Sequence, residues 1–126
     1  MKKIINTLKA PQAIGPYSQA VEINGVLYIS GQVPLDPATG KIVEGGIREQ
    51  TEQVMKNIKA ILTEAGYSFE NVVKSTCLLS DMKNFAVMNE VYAKYYPENP
   101  PARAAFSVKE LPLGVLVEIE TVAVIG

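Results

Sequence analysis

The chain has 126 residues, with 12 Lys or Arg against 13 Asp or Glu, a formal net charge of −1 and no histidine. That length makes one domain, residues 1–126, the expectation. The balanced charge, without any Lys/Arg run, argues against partners held by clustered positive charge, whether nucleic-acid backbones or anionic membranes.

Met1 is followed by two lysines but by no apolar stretch long enough for a secretory signal. No run approaches the roughly 18 apolar residues of a membrane span, so the cytoplasm is the expected location. Next, YSQAVEINGVLYISGQ reads as two strands joined by Asn24-Gly25, the favoured two-residue hairpin turn because both positions tolerate positive φ. PLDPATGK forms a second turn, begun by Asp36-Pro37 and closed by Gly40. From 47 to 65, Ile47, Thr51, Val54, Ile58, Ile61, Leu62 and Ala65 repeat at the spacing of one helix face, and Gly66 is a natural C-terminal cap. NVVKSTCLLS, rich in β-branched residues, is a strand. A second helix follows, with Phe85, Met88, Tyr92 and Tyr95 on one face and Pro97 beyond its end. PARAAFSV, a turn at KELPLG and the long strand VLVEIETVAVI close the chain. The interleaved order predicts one sheet with two helices packed on one face, and self-association to cover the other.

Cys77 is the only cysteine, which rules out an internal disulfide. A zinc site needs several His, Cys or carboxylate ligands, of which only carboxylates are plentiful here, and with no histidine the commonest general base is missing. Chemistry must come from Arg, Glu, Asp, Tyr, Ser, Lys or backbone groups. Arg103 stands out, because a desolvated guanidinium in an apolar strand is costly without a partner. If the last two strands pair as a hairpin, alternation sets Arg103, Ala105 and Ser107 on one face of the first. Glu118 and Glu120 share a face of the second, and Glu118 is a diagonal step from Arg103, with the register open by one residue. Two readings follow. Arg103 is neutralised by Glu118 or Glu120 as a structural pair, or one fork stays open for a ligand carboxylate while a glutamate handles a proton or water.

Other candidates carry less. Tyr17, after Gly15-Pro16, has a hydroxyl that is either a donor or an incidental part of packing. Ser30 and Gly31 lie at a strand end, where glycine allows close backbone approach or marks a bulge. Cys77, without a neighbouring base, reads as a buried inert thiol. Asn89 reads as a surface or capping residue. Gly45-Gly46 lacks the spacing of a phosphate loop.

Three stretches, AIGPYSQAV, YISGQVPLDPATG and PPARAAFSVKELPLGVLVEIE, resemble the signature segments of the Rid family, the reactive imine deaminases once grouped as the YjgF family. The likeness runs from about residue 4 to 124. It implies a chorismate-mutase-like α+β fold: a single mixed sheet with two helices on one face, forming a homotrimer with a central barrel and inter-subunit clefts. It implies hydrolysis of 2-iminobutanoate and 2-iminopropanoate to 2-oxo acids and ammonia, with no metal or cofactor. By position, Arg103 matches the arginine that grips the substrate carboxylate, and Glu118 the glutamate that positions or activates water. Tyr17 matches a loop tyrosine contributed by a neighbouring subunit. Ser30 and Gly31 match the strand end near the ligand, and Asn89 a helix asparagine at the pocket edge. Glu120 also matches a common family residue and reads as structural. Where many members carry cysteine, this chain has Ala105, so only its backbone N–H could serve. A non-catalytic trimer that binds small carboxylates or regulates a partner is the alternative. RNA cleavage, attributed to some relatives, is disfavoured by the acidic balance and the absent histidine.

Overall fold

Asn24 and Gly25 take positive φ, 51° and 77°, and fold the chain back so that Ile23 pairs with Val26. The strands they join are β2 (Ala20–Ile23) and β3 (Val26–Gln32). The computed structural model describes residues 1–126. In it β1 (Lys3–Ile5) lies antiparallel to β2, a three-residue edge strand too short to announce itself in the sequence. The Asp36 turn forms as expected, its carbonyl accepting from the Gly40 N–H, and joins a small ribbon of β4 (Leu35–Asp36) and β5 (Lys41–Ile42).

Helix α1 covers Ile47–Ala65, the range its periodicity predicts, and Gly66 ends it in the left-handed conformation at φ 82°. The chain continues as β6 (Val72–Leu79), α2 (Phe85–Tyr95), β7 (Ala102–Ser107) and β8 (Val117–Val124). The main sheet has the order β1-β2-β3-β8-β6-β7. Only β6 and β7 run parallel, so the sheet is mixed, and α2 is the crossover that parallel neighbours need.

The hairpin expected of the last two strands does not form. β7 pairs with β6, and β8 lies on the far side of β6, between it and β3. Burial explains the choice. Val117, Ile119, Thr121 and Ala123 are buried, so β8 gains most from a central position, while β7 has no fully buried residue and follows two prolines, as an edge strand tolerates. The segment between them passes the end of β6, where Leu79 O accepts from Val108 N–H and Leu116 O from Ser80 N–H.

Leu27, Ile29, Cys77, Leu79, Val117 and Ile119 face the helices and join Val54, Ile58, Leu62, Met88 and Tyr92 in one core. Both helices cover this face. The opposite face remains open and is apolar over much of its area, with Ile4, Tyr28, Phe106 and Val124 exposed.

Candidate active site

Arg103 lies on the edge strand β7 opposite Ser75 of β6, which in turn lies opposite Thr121 of β8. Directly paired residues share a face, so the guanidinium emerges on the helix side of the sheet. There Asn89 Oδ1 accepts a 2.7 Å hydrogen bond from Nη1. The rings of Phe85 and Tyr92 flank the cation with centroids 5.4 and 5.0 Å from Cζ. The ion pairs of the chain, Arg48–Glu90, Lys83–Asp81 and Lys94–Glu52, leave Arg103 out. Of the two readings, neutralisation by Glu118 or Glu120 is therefore absent: the only side chain bonded to this cation is a neutral amide. A hollow of about 380 Å³ opens beside it, walled by Asn89, Tyr92, Tyr96, Pro100, Pro101 and Arg103. A larger hollow of about 620 Å³ near Phe69 and Tyr95 has Glu70 and Glu98 as its charged groups and no cation to hold an acid anion.

Glu118 and Glu120 face the other way. They pair across β6 with Leu78 and Thr76, which pair onward with Phe106 and Ala104, so both carboxylates lie on the open face. Between Ile29 and Gln32 the β3–β8 ladder slips by one residue, and the extra length is the bulge at Ser30-Gly31. Glycine there has a physical reason: a Cβ on Gly31 would run into the Glu118 carboxylate. Burial holds the Glu118 carboxyl above its ordinary range, and the nearby Glu120 charge pushes in the same direction. The bulge also anchors the preceding loop. Ser30 Oγ donates to Ser18 O at 2.6 Å, and Ser30 N–H to Gln19 O. Gln19, buried, accepts from Thr7 N–H and donates to Thr7 O and Pro11 O. Tyr17, just before this anchor, remains 54% exposed.

The seven sequence-predicted residues thus fall into two groups. Asn89, Arg103 and Ala105 gather at the β7 edge on the helix side. Ser30, Gly31 and Glu118 meet at the β3 bulge on the open side, with Tyr17 on the adjoining loop. Three strand spacings, roughly 14 Å, separate β3 from β7. Glu118 is not a diagonal neighbour of Arg103, and no single chain joins the two groups. Sequence reasoning also missed how Phe85 and Tyr92 are used, taking them only as core residues. Their signal was present: 85, 89 and 92 lie at i, i+4 and i+7 of one helix. Cys77 is fully buried and its thiol is pushed up to about 11, first by burial, which agrees with an inert core residue.

These features define a small α+β protein that presents an unneutralised guanidinium at one sheet edge and, at a bulge on the opposite face, a carboxyl whose pKa burial raises. The family described as endoribonuclease L-PSP matches residues 7–125, and the chain belongs to it, the Rid or YjgF family. A RutC family protein of Pyrococcus horikoshii is 56% identical, over 98% of each chain. The mouse 2-iminobutanoate/2-iminopropanoate deaminase is 53% identical, over all of this chain and 93% of its own. Among solved structures, E. coli TdcF with bound serine superposes at a TM-score of 0.94, with 38% identity over 98% of this chain and 99% of that one.

Proposed function

We propose that the protein hydrolyses small 2-imino acids, such as 2-iminobutanoate and 2-iminopropanoate, to 2-oxo acids and ammonia. The observation that carries this reading is Arg103, a guanidinium bonded to Asn89 alone, with N–H donors left for an incoming carboxylate. The mouse relative named as a deaminase and the serine-bound E. coli relative support it.

The site would form between copies of the chain, with the Arg103 edge of one subunit meeting the Glu118 bulge of the next in a homotrimer. Its sheets would close into a barrel over their apolar faces. Arg103 would hold the substrate carboxylate, and Ala105 N–H, Asn89, Ser30, Gly31 and Tyr17 would shape the pocket. Glu118 would place a water about 3 Å from the electrophilic iminium carbon and take its proton as the C–O bond forms. The same proton, returned to nitrogen, lets the C–N bond break; as ammonia leaves, the re-ionised Glu118 takes the carbinol proton, the O–H closes to C=O, and the departing ammonia carries that proton off as ammonium. The protein's own groups supply every proton transfer in this scheme.

In Arg103→Ala, ammonia release from freshly generated 2-iminobutanoate should be lost while the far-ultraviolet circular dichroism and assembly size stay unchanged; full activity would remove Arg103 from the reaction. The bound serine of the E. coli relative favours a second reading, a carboxylate sensor or partner regulator at the same cleft. Saturable 2-oxobutanoate binding without faster imine hydrolysis would establish that one instead. The family's endoribonuclease description invites RNA cleavage, but a net charge of −1 and no histidine argue against it.

A further inference from the structure

We propose that Phe85 and Tyr92 are positioning residues, two aromatic walls that hold the Arg103 guanidinium in one plane so that its free edge meets a carboxylate ready-made. This rests on the reading of Arg103 as the carboxylate grip. Arg103 is exposed and stands on an edge strand, where a long side chain would otherwise sample many rotamers and lose that freedom on binding. Three residues of α2 prevent this. Asn89 fixes Nη1 with one acceptor. Phe85 and Tyr92, one turn before it and one turn after, bring ring centroids to 5.4 and 5.0 Å from Cζ, inside the range of cation–π attraction.

The choice of groups is chemically selective. A carboxylate in place of Asn89 would neutralise the cation. Ring faces attract it without accepting its in-plane N–H groups, so the remaining donors have no acceptor in the chain and stay available for bidentate recognition. The rings are themselves held. Tyr92 is 4% exposed and belongs to the core, and Phe85 packs against that core. The Tyr92 hydroxyl is buried without a hydrogen-bond partner, as is the Ser75 hydroxyl. The ring, not the hydroxyl, is therefore the part that serves Arg103.

The test compares Phe85→Leu, Tyr92→Leu and Tyr92→Phe with the parent protein and Arg103→Ala. Each is measured for imine hydrolysis, for 2-oxobutanoate affinity by calorimetry, and for the Arg103 Nε–Hε resonance, which is assigned by its absence in Arg103→Ala. The Leu variants should raise KM and weaken 2-oxobutanoate about tenfold with kcat within about twofold, because a grip on a carboxylate that keeps its charge throughout the reaction contributes equally to ground and transition states. Tyr92→Phe should restore KM. In the parent the Hε resonance should be displaced by the ring currents and move back toward the free-arginine position in the Leu variants. The wild-type spectrum alone decides the matter if a Leu variant folds poorly: an Hε at the free-arginine position overturns the proposal. So does unchanged KM in both Leu variants while Arg103→Ala abolishes 2-oxobutanoate binding, an outcome that spares the carboxylate grip. Unaltered binding in Arg103→Ala would instead overturn the grip, and the positioning role with it.

Discussion

Gly31 and Glu118 share one small volume, so a side chain added at the first displaces the second. Gly31 does not have positive φ, so alanine there is unstrained in backbone terms; its methyl would displace only the flexible end of Glu118. Gly31→Ala should therefore lower kcat/KM at least about tenfold while moving the melting temperature by no more than a few degrees, and steady-state kinetics beside a thermal melt separates the two. Glu118 also gives a pH signature. Its carboxyl is raised by burial and then by Glu120. A base must be ionised to accept a proton, so the acidic limb of kcat/KM should lie above the ordinary glutamate range. Glu120→Gln should shift that limb to lower pH by removing the repulsion. The stability sign follows from the same shift. An acid whose folded value is raised binds more protons folded than unfolded between the two values. Its favourable contribution is thus full below the unfolded value and lost as pH rises through the folded one. Glu118→Gln should accordingly flatten that loss in melts run across the same pH window.

Secondary-structure elements follow from local chemistry wherever a short-range signal is strong. The α1 periodicity and the Gly66 stop needed no tertiary information, because a left-handed cap is a property of glycine itself. A Cβ at Gly66 would meet no atom within 4 Å, so Gly66→Ala should cost about 1 kcal/mol purely through φ, measurable by denaturant unfolding. The same holds for Asn24-Gly25 and for the Asp36 turn, both legible because their positive-φ or Asx chemistry is local. Strand partners were not legible. Nothing in PARAAFSV says that it runs parallel to β6, since that pairing is chosen by the α2 crossover and by competition for the sheet centre. The face of each residue survived the error, because alternation is fixed by the pleat, whereas the reach from Arg103 to Glu118 did not.

At the scale of the whole molecule, the apolar open face and the split site argue for the same thing. Tyr28, Phe106 and Val124 are exposed there, and Arg103 and Glu118 point to opposite sides of one sheet. If neighbouring subunits complete each site, chains carrying Arg103→Ala and chains carrying Glu118→Ala, each inactive alone, should regain activity when co-assembled. With random mixing about one quarter of the sites would hold both intact groups. Activity that stays at zero in verified mixed assemblies would mean that both groups act from the same chain.

The amino-acid order by itself determined the helices, the turns, the side each strand residue faces, and the candidate residues, through short signature segments and the anomaly of an arginine among alanines. These are local properties, set by backbone sterics, side-chain alternation and the cost of an unpaired charge. Only the tertiary structure decided that β8 rather than β7 takes the sheet centre, that Asn89, Phe85 and Tyr92 converge on Arg103, and that Glu118 lies on the far face against Gly31. Those facts depend on which distant segments win the buried positions, a competition over the whole chain that no window of sequence contains.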